Sequence, residues 1–169
     1  MKKMTKICNK GFSLVELVIV VAIVAVLGAV ALTGMSLLTS KPVDECAKKI
    51  QIALEGNRST TMGKYSGYLE FTADTDGIYV EEYINGASQG RIKIGQSGVS
   101  VMVDSRIMGD ATTYTSSLSS LPLKVEFNRA DGSLKTQAGV GYVTTFRISR
   151  GSRAINVTVD RLTGRVDLE

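Results

Sequence analysis

The sequence is dominated by one long stretch without a charged side chain. No Asp, Glu, Lys or Arg occurs from Leu17 to Ser40, and the part from Leu17 to Leu32 is almost entirely aliphatic. A helix of about 20 residues, rising about 1.5 Å per residue, crosses the hydrocarbon core of a bilayer. The stretch is therefore long enough to span a membrane as a helix.

The positive charge of the chain lies ahead of this stretch. The chain has 20 basic and 16 acidic residues, a formal net charge of +4. Four lysines and no acid lie within residues 1–11, so the remainder is formally neutral. The positive-inside rule places the N-terminus in the cytoplasm and the bulk of the chain outside the cytoplasmic membrane. The charge balance of that remainder gives no support to nucleic-acid binding.

Two simple interpretations of the apolar stretch leave Glu16 unexplained. A secretory signal peptide has an apolar region of about 7–15 residues, shorter than this one, and a plain single-pass anchor accounts only for the length. A carboxylate in an apolar membrane helix is costly, and such acids usually have a partner. Glu16 follows Phe12 by four residues, one helical turn away on the same face. A cut between Gly11 and Phe12 would create an α-amino group that could neutralise this carboxylate, within one chain or between neighbours.

The segment GFSLVE from Gly11 to Glu16, followed by LVIVVAIVAVLGAV, resembles the prepilin cleavage and methylation motif of type IV pilins and type II secretion pseudopilins. The resemblance implies that a prepilin peptidase cuts after Gly11 and methylates the new amine of Phe12. It implies that Glu16 pairs with the N-terminal amine of an adjacent subunit during filament assembly. The implied partners are other pilin or pseudopilin subunits, an assembly-platform membrane protein and, before assembly, the lipid bilayer.

A second helical segment follows the apolar stretch. Its apolar residues recur at helical spacing and form one stripe: Val43, Ala47, Ile50 and Leu54. Pro42 predicts a bend where the helix leaves the membrane, and Gly63 predicts its end. The predicted organisation is a basic leader (1–11), a transmembrane and filament-core helix (12–40), an amphipathic continuation (41–64) and an antiparallel β domain (65–169).

The pattern from Tyr68 onward changes to the alternation that is typical of strands. Turn signals such as Asn85-Gly86 and Asp131-Gly132 separate the candidate strands. These strands are Tyr68–Ala73, Ile78–Ile84, Arg91–Ile94, Val99–Val103, Leu123–Asn128, Tyr142–Ser149, Ala154–Asp160 and Arg165–Leu168. Residues 105–121, rich in Ser and Thr, are predicted to form a surface loop.

The fold class predicted from these segments is α+β. A long N-terminal helix, with a membrane half and an amphipathic half, is expected to pack on an antiparallel β-sheet, as the resemblance to pilins also implies. The segments FNRADGS and INVTVDRLTGRV, within roughly residues 123–168, resemble the C-terminal β region of the GspH/FimT-like minor pseudopilin group.

Little in the sequence points to catalysis or to a cofactor. There is no histidine, no Ser-x-x-Lys motif and no phosphate-binding glycine loop, so neither an enzyme nor a cofactor is predicted. Asp74, Asp76 and Gly77 match part of a calcium loop, but the third acid is missing and a hairpin turn is the better prediction. Cys8 and Cys46 are not expected to pair, and Cys46 is predicted to be a small apolar residue of the helix.

Several arginines crowd the C-terminal region: Arg147, Arg150, Arg153, Arg161 and Arg165. One hypothesis is that Arg147, Arg150, Arg153 and Arg165 contact an anion or DNA, which would make the chain a DNA- or surface-binding minor pilin of a DNA-uptake or adhesion apparatus. The other is a solvated strand face with cross-strand ion pairs, for which Asp160 and Asp167 are nearby acids. The solvated, ion-paired strand face is the favoured prediction.

Overall fold

The described part of the chain opens with one long helix. The structure, a computed structural model, describes residues 13–63, 65–119, 121–137 and 141–169, with the backbone alone for residues 30–39. Helix α1 (Leu14–Gly63) continues through Pro42 and ends at the glycine where the sequence predicts its end. Among the described residues, no helical stretch combines the length and the apolar character that crossing a bilayer requires.

The chain divides into two compact units, the first extending to Leu37 and the second from Leu38 to Glu169. In the described part, the second unit holds the C-terminal portion of α1 and nine strands. The strands are β1 (Gly67–Ala73), β2 (Gly77–Ile84), β3 (Ala87–Gln96), β4 (Ser100–Arg106), β5 (Thr113–Ser117), β6 (Leu123–Glu126), β7 (Tyr142–Arg150), β8 (Arg153–Val159) and β9 (Val166–Leu168).

The strands form two antiparallel sheets. The first has the order β3-β2-β1-β6, and the second has the order β5-β4-β7-β8-β9. Most of the pairs are hairpins between consecutive strands, as in β1 and β2 with Phe71 opposite Val80, whereas β1–β6 and β4–β7 join strands that are distant in the chain. The sequence predicts antiparallel hairpins, and the pairing confirms them; the division into two sheets is not predicted.

The two sheets and the C-terminal portion of α1 share one hydrophobic core. On α1, the predicted stripe residues are all buried: Val43, Ala47, Ile50 and Leu54. They belong to the same buried cluster as Phe71 of the first sheet and Phe146 of the second. The rings of Phe71 and Phe146 lie 5.1 Å apart between centroids and are tilted by 53°, an arrangement that aromatic pairs favour. The apolar alternation of the strands is thus explained by burial in this shared core.

One sequence prediction is wrong in this region. Residues 105–121 are predicted as a loop, but β4 extends to Arg106 and the stretch contains β5. Every residue of β5 is exposed, so the strand has no apolar alternation by which a sequence pattern could find it. The strand forms because its backbone pairs with β4, and Thr and Tyr are compatible with extended structure.

Aspartate carboxylates accept hydrogen bonds from backbone N–H groups in tight turns of the β domain. Asp160 Oδ1 accepts hydrogen bonds from Leu162 N (3.0 Å) and from Thr163 N (2.7 Å). Hydrogen bonds from Thr163, aided by Leu162, hold the pKa of Asp160 below its usual value. Bonds from Ser133 lower the pKa of Asp131, and bonds from Thr112 lower that of Asp110. The ionised forms of these turn carboxylates therefore favour the folded state.

These lowered pKa values predict a loss of stability in acid. The stabilisation is fully present above the unfolded-state pKa, about 3.9 for Asp, and is lost as the pH falls through the lower folded-state pKa. Asp160→Asn keeps an acceptor oxygen but does not titrate, so its free energy of unfolding should fall less steeply below about pH 4. Urea midpoints measured over a pH series test this. Asp76→Asn is the control, because Asp76 accepts no turn hydrogen bond among the described residues and should leave the slope unchanged.

Candidate processing and assembly site

The described residues begin directly after the predicted processing residues, Gly11 and Phe12. Ser13 precedes α1, and its carbonyl accepts the first helical hydrogen bond, from Leu17 N at 3.1 Å. Serine is among the residues preferred at this N-cap position. Glu16 stands three residues later, in the first turn of the helix. The spacing Ser-x-x-Glu is that of a capping box, which the sequence analysis did not identify, although in the described part of the chain the Glu16 carboxylate does not bond to the Ser13 N–H.

The helix that follows is apolar on all sides and exposed. From Leu14 to Leu27, every large apolar side chain is exposed, with fractions from 48% at Val20 to 78% at Leu14. The exposed residues are Leu14, Val15, Leu17, Val18, Ile19, Val20, Val21, Ile23, Val24, Val26 and Leu27. Globular proteins bury such side chains, and a helix that is hydrophobic all round belongs in a core or a membrane. This segment therefore requires an apolar environment beyond its own chain.

Glu16 is the one acid within this segment. It is exposed, and its carboxylate has no hydrogen-bond or ion-pair partner among the described residues. The positive end of the helix dipole favours a carboxylate in the first turn, which stabilises the helix start. An apolar environment around the segment would remove the solvation of the charge, so Glu16 would then need a cationic or hydrogen-bonding partner. Gly11 and Phe12, the predicted cleavage and methylation residues, lie outside the described residues.

Three of the four candidate arginines already contact carboxylates. Arg147 contacts Asp104 at 2.6 Å, Arg153 of β8 contacts Asp44 of α1 at 3.1 Å, and Arg165 contacts Asp167 at 2.9 Å. The remaining one, Arg150, lies directly opposite Arg153 in the β7–β8 hairpin and has no ion pair in the described part of the chain. Only the Arg147–Asp104 pair joins two strands, as the ion-pair hypothesis predicts, whereas Arg153 pairs with the helix and Arg165 with a residue two positions away. Contact of these arginines with an anion or DNA stays a prediction.

The ion-pair partner of Arg147 is Asp104, a residue that the sequence analysis did not identify. Asp104 is only 4% exposed, at a register shift between β4 and β7. Its Oδ2 accepts bonds from Arg147 Nε (3.0 Å) and Nη2 (2.6 Å), and its Oδ1 accepts one from Thr115 of β5 (2.6 Å). Asp104 therefore joins the edge strand β5 to the central strand β7. No alternation marks it in the sequence, because the register shift places a polar residue at a buried position.

The Asp74 region forms a turn, as the sequence predicts. Asp74 Oδ1 accepts bonds from Asp76 N (2.9 Å) and Gly77 N (3.1 Å), and Arg91 contacts its Oδ2 at 2.9 Å. Although desolvation acts to raise the pKa of Asp74, these hydrogen bonds outweigh it and lower the pKa. In the described ranges, no group of three or more Cys, Asp or Glu residues is arranged to hold a metal ion.

Comparison with known families supports the N-terminal interpretation. Residues 7–32 match the family described as the prokaryotic N-terminal methylation motif. This match confirms the prepilin-type motif and supports the resemblance to type IV pilins and pseudopilins. No curated protein and no solved structure matches the chain significantly.

Proposed function

We propose that this chain is a structural subunit, a minor pilin or pseudopilin, of a type IV pilus or type II secretion filament. In this proposal it is made as a prepilin, cleaved after Gly11, N-methylated at Phe12 and assembled through α1. The methylation motif supports a prepilin-like substrate of prepilin peptidase, and its family is structural rather than enzymatic.

The observation that carries the proposal is the exposed apolar helix directly after the motif. Burying one Val, Leu or Ile side chain contributes about 1.5–3 kcal/mol, so the side chains between Leu14 and Leu27 together provide a large driving force for association. A bundle of such helices from neighbouring subunits would supply the apolar surroundings. The β domain has no comparable continuous run, since its core residues are buried and its exposed apolar side chains, such as Ile92, Leu121 and Leu162, are separated along the chain.

The proposal also assigns an environment to the chain before assembly. The charge-free run and the four lysines ahead of it favour a prepilin held in the cytoplasmic membrane with its N-terminus in the cytoplasm. Cleavage after Gly11 would remove those lysines and free an amine at Phe12. An assembly-platform membrane protein would then move the subunit from the bilayer into an extracytoplasmic filament of pilin or pseudopilin subunits.

The mature N-terminus is the direct test of the processing step. In cells with active prepilin peptidase, we expect mass spectrometry to find a chain that starts at Phe12 with a methylated amine. In cells without the peptidase, the chain should retain residues 1–11. A mature chain that starts elsewhere, or that keeps the leader in the presence of the peptidase, would contradict the proposal.

The β domain supports a narrower proposal about the group of pseudopilins to which the chain belongs. Of the segments that resemble the GspH/FimT-like minor pseudopilins, FNRADGS forms the turn after β6, and INVTVDRLTGRV spans most of β8, the following turn and the first residue of β9. We include membership of that group in the proposal on the basis of this resemblance. The DNA- or surface-binding alternative has less support, because Arg147, Arg153 and Arg165 are each paired with a carboxylate.

A further inference from the structure

The two sheets have four outer strands, and three of them are protected against pairing with another chain. Native sheets protect exposed edges with charged side chains, bulges, short strands or covering loops. Strand β3 carries Arg91 and Lys93 and pairs with β2 through two register shifts. Strand β6 is covered, since Lys135 N donates to Glu126 O (2.8 Å) and Phe127 bridges to Leu134. Strand β9 has three residues and includes Asp167.

The fourth outer strand, β5, has none of these protections. Its sequence, Thr-Tyr-Thr-Ser-Ser, contains no charge and no proline. Its pairing with β4 is continuous over all five residues, with no register shift. All five residues are exposed, and no described segment covers the strand. An unprotected, regular edge is a template for another strand.

The ladder with β4 fixes which backbone groups face outward. Leu118 N donates to Val101 O at 2.9 Å, which marks a hydrogen-bonded pair next to the strand. Hydrogen-bonded pairs alternate along an antiparallel ladder, so Ser116 and Tyr114 bond to β4. The N–H and C=O groups of Thr113, Thr115 and Ser117 therefore point to the free edge, where they present three donors and three acceptors.

We propose that the free edge of β5 is a strand-addition site that pairs antiparallel with β5 of a second copy of this chain. A second copy offers one unprotected edge among its described strands, and that edge is β5 itself. Pairing β5 with β5 brings no like charges together and places Thr and Ser side chains opposite one another, a favourable cross-strand combination. The contact would be a two-fold, self-complementary interface, distinct from assembly through α1.

Amide hydrogen exchange of the full chain in detergent micelles tests the proposal. We expect the amides of Thr113, Thr115 and Ser117 to exchange at least about tenfold more slowly at high protein concentration than at low concentration, since pairing gives each a new acceptor. The amides of Tyr114 and Ser116 report whether β5 stays paired with β4. Equal exchange of the three outward amides at both concentrations, with Tyr114 and Ser116 protected, would overturn the proposal.

A matched pair of variants separates strand addition from other association. Thr115→Pro removes an outward N–H without breaking a bond to β4, whereas Thr115→Val keeps that N–H. Both variants lose the bond from the Thr115 hydroxyl to Asp104, so that loss is common to them. We expect the concentration dependence at Thr113 and Ser117 to be lost in Thr115→Pro and kept in Thr115→Val. Loss in both variants, or retention in both, would contradict strand addition.

Discussion

Replacing Gly164 by alanine is expected to lower the free energy of unfolding of the β domain by about 3 kcal/mol. Gly164 has a φ of +64°, in the left-handed region that costs a residue with a Cβ about 1–2 kcal/mol. An added Cβ would also lie 2.0 Å from the carbonyl oxygen of Gly132. That oxygen belongs to the backbone of a neighbouring turn, so the two turns would have to separate. Urea unfolding of the full chain in detergent, followed by circular dichroism, measures the change.

Gly151→Ala is the matched control for this experiment. Gly151 has nearly the same backbone conformation, with a φ of +60°, but nothing lies within 4 Å of its added Cβ. Gly151→Ala should lower the free energy of unfolding only by the cost of the left-handed conformation, about 1–2 kcal/mol. The difference between the two variants measures the collision of the added Cβ with the Gly132 carbonyl and the adjacent Arg58 side chain. Equal losses in the two variants would show that the turns are not packed as described.

Replacing Glu16 by alanine is expected to reduce incorporation into filaments by at least about tenfold, while leaving processing unchanged. In the proposed filament, the carboxylate pairs with the N-terminal amine of Phe12 in an apolar helix bundle. Removing one partner of a buried ion pair leaves the other charge uncompensated, which costs about 3–5 kcal/mol. The measurement is the amount of subunit in sheared filaments relative to the amount in membranes.

Glu16→Gln separates charge pairing from helix capping. Glutamine can replace glutamate at this position of a capping box, because its side-chain oxygen can also accept a hydrogen bond from the N-cap while the charge is removed. If charge pairing with the amine is what assembly requires, Glu16→Gln should fail as Glu16→Ala does. Normal incorporation of Glu16→Gln would assign Glu16 to capping and remove its proposed pairing role. In both variants the mature N-terminus should still be Phe12.

The sequence predicts the elements that bury apolar side chains. The stripe from Val43 to Leu54 and each predicted strand have a counterpart in the structure, because burial on one face imposes a period on the sequence. Strand β5 cannot be predicted from an apolar pattern, because all of its residues are exposed. The division into two sheets cannot be predicted either. Hairpin signals indicate which neighbouring strands pair, but not which hairpins belong to the same sheet.

The candidate site residues, too, are only partly predictable from the sequence. Gly11, Phe12 and Glu16 are recognisable in the sequence, because cleavage and methylation depend on a short local motif. The arginine partners are not, since Asp44 and Arg153 are far apart in the chain and meet only through folding. Asp104 is not recognisable in the sequence for a further reason. It lies at a register shift, and its carboxylate bonds to Arg147 and Thr115.

The buried Cys46 has a consequence for the chemistry of the mature subunit. Cys46 is a free cysteine of the core, and desolvation raises the pKa of its thiol to about 12, against a small opposing effect of Lys49. The thiolate is the form that oxidants and maleimides attack, so this side chain is inert near neutral pH. Cleavage after Gly11 would discard Cys8 with the leader. The processed subunit would then tolerate an oxidising compartment without forming stray cross-links, and a cysteine introduced on its surface could be labelled without background.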